Sequence, residues 1–163
     1  MTLPDFLLRL QESPVGIVVG SWPWVFPNVE TLHVLSLTTV FGSILMVDVR
    51  LLGLAEANSR ISVLSQEVLP YTWIAFLCAV ITGTLLFSSK AQTYFYNLQF
   101  QLKFACMALA GINMAVFHLG VYRRVLEWDT AQPPPIGARI AGALSIVLWT
   151  ATIFFGRWTG FTT

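Results

Sequence analysis

Four uninterrupted apolar runs, each long enough to cross a bilayer, leave this chain of 163 residues little choice of fold. A helix needs about 20 mostly apolar residues to span about 30 Å of hydrocarbon, and it satisfies its own backbone polar groups there. The runs cover about residues 32–54, 68–88, 104–122 and 140–156. Each is continuous, whereas the strands of a membrane barrel alternate with a period of two and span in about ten residues. Composition agrees with the runs. Charged residues make up 10% of the chain, hydrophobic residues 56%, and mean hydropathy is +0.72, far from the roughly 25% charged of a soluble domain. The expected fold is all-α: one transmembrane domain over residues 1–163, an integral membrane four-helix bundle with an N-terminal amphipathic interfacial segment over residues 1–30.

That segment does not read as a leader. Asp5 precedes Arg9, and the apolar run from Val15 to Val19 is too short for a secretory core. Pro4 to Glu12 predicts an amphipathic helix lying on the membrane. Trp22, Pro23, Trp24 and Phe26 follow as an aromatic belt that sets the depth of the first span, or, on a sharper reading, as a lid over His33.

Four spans put both termini on one side. Arg50, Arg60, Arg123, Arg124 and Arg139 flank the first and third connections, against Arg9, Lys90, Lys103 and Arg157 on the terminal side. Lys103 and Arg157 fall at helix ends rather than in loops, so the loop cations favour a cytoplasmic side for the first and third connections. The termini then face outward. The connections are short: Ala55 to Glu67 is a polar link with some helical character, Ser89 to Gln101 carries Tyr94, Tyr96 and Asn97, and Pro133 to Pro135 stiffens the last turn.

Soluble chemistries find no footing. Cys78 and Cys106 lie in apolar runs without CxxC spacing and read as small core residues. The chain has no c-type haem motif, P-loop, dinucleotide fingerprint or nucleophile elbow, and no basic patch for nucleic acid. Glycines and alanines such as Gly42, Gly83, Ala108, Gly111, Gly137, Gly142 and Ala143 are spaced for close helix packing, or to make room for a flat cofactor.

Polar residues within the runs therefore carry the chemistry, because an ionisable group in a membrane span is costly and points to function. They sort into two depths. Glu30, His33, Lys103 and Arg157 belong to the outer level, and Asp48, Arg50, Tyr71, Thr72, His118 and Arg139 to the inner one. Two histidines in a small bundle suggest one haem held between them, but spans one and three run in the same direction. His33 and His118 then differ in depth by about 15 residues, or roughly 22 Å. Axial nitrogens on one iron lie about 4 Å apart, so a shared haem is excluded. Lys103 can share a level with His33, with Glu30 or Arg157 completing a site or a plain ion-pair network. Asp48 with Arg50 or Arg139 reads as an inner-end pair.

The stretches Glu30 to Leu35, Phe41-Gly42-Ser43, Val47 to Gly53, Pro70 to Trp73, Thr82-Gly83, Ala110 to Asn113, Phe117-His118 and Gly156-Arg157-Trp158, with Lys103, resemble a family of small bacterial inner-membrane proteins with a domain of unknown function. This likeness covers nearly the whole chain and implies a multi-pass protein of the bacterial inner membrane, where the outward termini expected from the loop cations would be periplasmic. More distantly, Leu32-His33-Val34, Gln101-Leu102-Lys103 and Phe117-His118 are arranged similarly to the HemJ-type protoporphyrinogen oxidases and the CopD-type copper-resistance membrane proteins. That similarity implies a b-type haem with His33 as metal ligand and Lys103 as its partner or a substrate-contacting base. The Trp-rich N-terminal segment and Asp48 depart from the HemJ pattern.

Three function classes follow. The first is a haem-binding redox protein with His33 as axial ligand, Lys103 and Glu30 tuning it, and Trp22 or Trp24 covering it. The second is a copper or proton transport component using His33, Met107 and Met114 with Asp48 and His118, which would call for a homo-oligomer. The third is a non-catalytic accessory or assembly subunit of a membrane complex. The partners implied are the lipid bilayer and a redox partner or other membrane subunits.

Overall fold

A computed structural model describes residues 2–54, 60–130 and 133–162. Four helices are long and apolar enough to cross a membrane. They are α3 (Val25–Leu51), α4 (Ile61–Ser89), α6 (Leu98–Leu119) and α8 (Ile136–Thr159), with α1 (Leu3–Gln11) and α2 (Pro14–Ser21) before them. The short helices α5 (Ala91–Phe95) and α7 (Val125–Trp128) complete the order, the latter entered through a 3-10 turn at Val121–Arg124. The chain is an all-α membrane bundle.

Each helix starts before its apolar run, while α3 ends at Leu51 and α6 at Leu119, short of residues 54 and 122. The first begins at Val25 rather than near residue 32, so Phe26 and Glu30 lie inside α3. Pro27 is tolerated there because the first turn has no intrahelical donors to lose. Residues 61–67 of the expected polar link belong to α4, while residues 55–59 lie outside the described part of the chain. Within the spans, hydroxyls stay satisfied by bonding back into their own helix. Thr38 donates to the Val34 carbonyl at 2.9 Å and Thr152 to Leu148 at 2.8 Å. At its far end α3 closes on Gly53, whose φ of 77° is the left-handed conformation that a side chain resists. The Leu54 N–H then reaches the Val49 carbonyl at 3.1 Å and the Gly53 N–H reaches Arg50 at 3.0 Å, a Schellman stop.

The spans pack as two pairs, α3 on α4 and α6 on α8, joined where α3 crosses α8. Gly142 makes that crossing possible: a Cβ there would lie 3.0 Å from the Asp48 carbonyl oxygen and 3.2 Å from Leu51 Cβ. Among the described residues α6 packs closely on neither α3 nor α4, so the spans form an arc in the order α4, α3, α8, α6. Gly42 and Gly111, read from sequence as packing positions, meet nothing within 4 Å. Cys78 is exposed rather than in the core, and both cysteines are free.

Both termini gather at one end, called here the terminal end. The expected N-terminal helix is found as α1, with Thr2 and Asp5 forming a capping box. The sequence reading did not foresee α2. Ser13 caps it by accepting from the Gly16 N–H at 3.1 Å, and Gly16 and Gly20 let it lie against Ser88 and Ser89 at the end of α4. Trp22 and Trp24 are 63% and 79% exposed rather than packed into the bundle. Phe100 stacks on Phe87 at 5.4 Å and on Tyr94 at 5.8 Å, tying α4, α5 and α6 together. Asn97 caps α6 and reaches the C-terminal Thr162 hydroxyl at 2.9 Å.

The opposite end holds the core: Leu51, Ile61, Phe117, Trp128, Ala138 and Ala141. Its hub is Asp129, 8% exposed, which caps α4 from across the bundle. Its carboxylate accepts from the Ser62 N–H at 2.8 Å and the Ser62 hydroxyl at 2.6 Å. Its carbonyl accepts from Ile61 at 3.4 Å and from Arg50 Nη2 at 3.3 Å. Burial pushes this carboxyl up, but the Ser62 hydrogen bonds and the Arg60 charge outweigh it and hold it below its ordinary 3.8. A lowered carboxyl stabilises the fold above its unfolded value, and that contribution is lost as pH falls through the lowered one. Asp129→Ala is therefore expected to cost about 1–2 kcal/mol at neutral pH, with the gap to wild type closing as pH falls below about 4. Unfolding titrations of both proteins in detergent at neutral and acid pH check this, and equal midpoints at neutral pH would remove Asp129 from the role.

Candidate functional site

His33 lies at the terminal end of α3, half-buried against α4. Its ring occupies a notch left by Gly83, where a Cβ would stand 3.0 Å from His33 Cε1. Its Nδ1 is 3.0 Å from Thr82 Oγ1. The Thr82 hydroxyl has one proton, and it points to the Cys78 carbonyl at 2.7 Å with Ala79 at 3.3 Å. Thr82 can therefore only accept from His33. The Ala79 carbonyl also faces the ring and can only accept. The Thr82 contact is at Nδ1 and puts the proton there, which leaves Nε2 to accept.

Lys103 approaches from the other helix pair. Its side chain lies along α8 in a second notch, with a Cβ on Gly156 standing 3.3 Å from Lys103 Cδ and 3.7 Å from Nζ. The ammonium is close enough to His33 to act on it electrostatically. The level expected for these two residues is thus shared, across the space between α3 and α6. Glu30 is exposed and faces Tyr94 of α5, whose phenol is pushed up by burial and further by the Glu30 carboxylate. Arg157 turns outward, its guanidinium 4.9 Å from the Phe161 ring centroid. Among the described residues no ion pair joins Glu30 to Lys103 or Arg157, so the four do not form a closed charge network.

The inner group divides differently from its sequence reading. Asp48 and His118 line one cavity of about 180 Å³ between the four long helices. Arg50 does not join them: it is fully buried and bonds the Asp129 carbonyl. The expected pair of Asp48 with Arg50 is corrected on simple grounds, since residues two apart on a helix point to nearly opposite sides. Arg139 is exposed and lines no part of the cavity, Tyr71 is 68% exposed, and Thr72 is buried in the cavity wall. Met107 and Met114 line the same cavity, whose wall does not include His33, so the structure does not gather His33, Met107 and Met114 into one ligand set. Among the described residues no three His, Cys, Asp or Glu side chains cluster as a metal site.

Residues 13–162 match a family described only as of unknown function, DUF6644. The chain belongs to the DUF6644 family. No curated protein and no solved structure matches it. Membership of DUF6644 agrees with the likeness to an uncharacterised family, and nothing in the comparisons supports the HemJ-type or CopD-type similarity. For this DUF6644 chain, then, chemistry has to be argued from side chains. Thr82 and Gly83 were out of reach of the sequence reading as partners of His33, because the register between α3 and α4 sets them there; Tyr94 was noticed only as a loop residue.

The hydrogen bonding makes a direct prediction. Nitrogen-15 NMR of histidine-labelled protein is expected to show His33 with the proton on Nδ1, and Thr82→Val to shift it toward a mixture of tautomers. A wild-type His33 protonated on Nε2 would refute the assignment.

Proposed function

We propose that this protein is a haem-binding redox protein of the membrane, with b-type haem held at the terminal end through His33 Nε2. The observation that carries the reading is the contact of His33 Nδ1 with Thr82 Oγ1 at 3.0 Å, which assigns the proton to Nδ1. A ligating histidine ordinarily donates its second ring N–H to a protein acceptor, which orients the ring and raises its basicity. Thr82 and Ala79 supply that acceptor pair for His33. Gly83 gives the ring its place, and the donor is a neutral imidazole nitrogen of the kind that holds haem iron. The bound group would supply one-electron chemistry. Lys103 sets a positive charge beside the ligand nitrogen and suits the anionic edge of such a cofactor. Trp22 and Trp24, being exposed, take no part in covering the site.

The alternative is an accessory subunit whose polar residues only hold the bundle together. Its natural basis would be ion pairs closing the terminal end, and among the described residues Glu30, Lys103 and Arg157 make none. One experiment separates the two. Protein purified after expression with ample haem is expected to be red, to lose its Soret band in His33→Ala, and to keep it in His118→Ala. Thr82→Val is expected to weaken haem retention by about 10- to 100-fold, the usual cost of losing the partner behind a ligand. A colourless wild type, with His33→Ala changing only thermal stability, would favour the accessory role instead.

A further inference from the structure

The cavity around Asp48 is a second place where this chain is built to meet a ligand. Its volume is about 180 Å³, and it is walled by all four long helices. A cavity of about 150 Å³ in a protein core accepts benzene, so this one holds a single ring with a short arm. Rings of Trp73, Phe76, Phe117 and Trp149 form much of the wall.

The polar atoms facing it are acceptors. Asp48 lines the cavity and is 5% exposed; Ser145 bonds its carboxyl, and its Oδ2, covered at the wall, has no hydrogen-bond partner. The hydroxyls of Ser43 and Thr72 are 2.7 Å apart and also reach the Val40 carbonyl at 2.9 Å and the Val68 carbonyl at 3.2 Å, so their protons are already placed. Asn113 donates to the Ala141 carbonyl at 2.9 Å, which leaves its own oxygen as an acceptor. His118 is 2.9 Å from the Met114 carbonyl through Nδ1, so Nε2 keeps its lone pair. Asp48 and His118 are the titratable groups in the wall, and no Lys or Arg lines it.

A buried carboxyl oxygen without a partner is costly, and a hydrocarbon guest such as a lipid tail would leave it so. An apolar aromatic cage with an unanswered acid fits a cation carried on an aromatic ring, where the charge meets both the carboxylate and ring faces. We propose that this cavity binds a one-ring organic cation of the arylalkylammonium class, its ammonium against the Asp48 carboxyl and its ring among the aromatic walls. Such a molecule partitions into bilayers, and the side of the arc between α4 and α6, which do not pack closely on one another among the described residues, gives it a lateral way in. The site is separate from His33 and holds whether or not the protein binds haem.

Calorimetric titration of 2-phenylethylammonium into the full chain in lipid nanodiscs tests this, with empty nanodiscs subtracting partition into lipid. Saturable binding is expected, at least about tenfold tighter than for propylbenzene, which replaces the ammonium by a methyl of similar shape. Asp48→Asn, nearly isosteric, is expected to erase that preference. The comparison of the two probes on wild type stands even if the variant folds poorly. Absence of saturable binding, equal affinity for propylbenzene, or an undiminished ammonium preference in folded Asp48→Asn would each overturn the proposal.

Discussion

The close approach of α3 and α8 at Gly142 holds the rest of the structure in place. Within each pair, α3 with α4 and α6 with α8, helices meet along their lengths, but between the pairs this crossing is the direct helical contact. A side chain on residue 142 would crowd the Asp48 carbonyl and push the helices apart by a few tenths of an ångström. Because lipid tails are as apolar as the helix surfaces, such small-residue contacts, rather than a hydrophobic drive, decide where membrane helices meet. The crossing brings two pairs together at one edge and leaves space on the concave side of the arc. Asp48 and His118 border that space, while His33 and Lys103 lie near one another at the terminal end.

The two histidines share a local arrangement despite their separation. Each directs Nδ1 to an acceptor, Thr82 for His33 and the Met114 carbonyl for His118. Each therefore presents Nε2 as a base or ligand. Their surroundings assign them different chemistry. His33 sits beside a cation in a glycine-cleared notch, while His118 lies among Phe117 and Tyr122 rings at the rim of a cavity containing an acid. One bundle thus holds two polar centres of opposite character, one beside a cation and one rich in acceptors.

The spans were legible because hydrocarbon thickness dictates apolar length, and the two levels were legible because depth follows from residue count along parallel helices. Lys103 and Arg157 lie within their helices as read, but the starts of α3 at Val25 and of α4 at Ile61 were not legible, since both helices begin well before their apolar runs. The helix α2 escaped notice because its eight residues include two glycines; the signal was Ser13-Pro14 as a start and Gly16 with Gly20 as a packing face. The pairing of His33 with Lys103 could be read from depth, whereas Thr82 and Gly83 depend on how α3 is rotated against α4. Asp48 and Arg50 were joined by nearness in sequence, which helical geometry undoes. The role of Asp129 has no local signal in the sequence, because its partners are 67 and 79 positions away.

The cap that Asp129 places on α4 also bears on how the chain is made. The first turn of α4 has exposed N–H groups from the moment it emerges, and the acid that satisfies them arrives only after the whole of α6 has followed. The same residue receives Arg50 from the end of α3. During synthesis the α3–α4 pair can therefore enter the bilayer early but keeps an unfinished edge. Delivery of α6 and α7 completes it, so the two halves of the bundle mature as one unit rather than as independent hairpins.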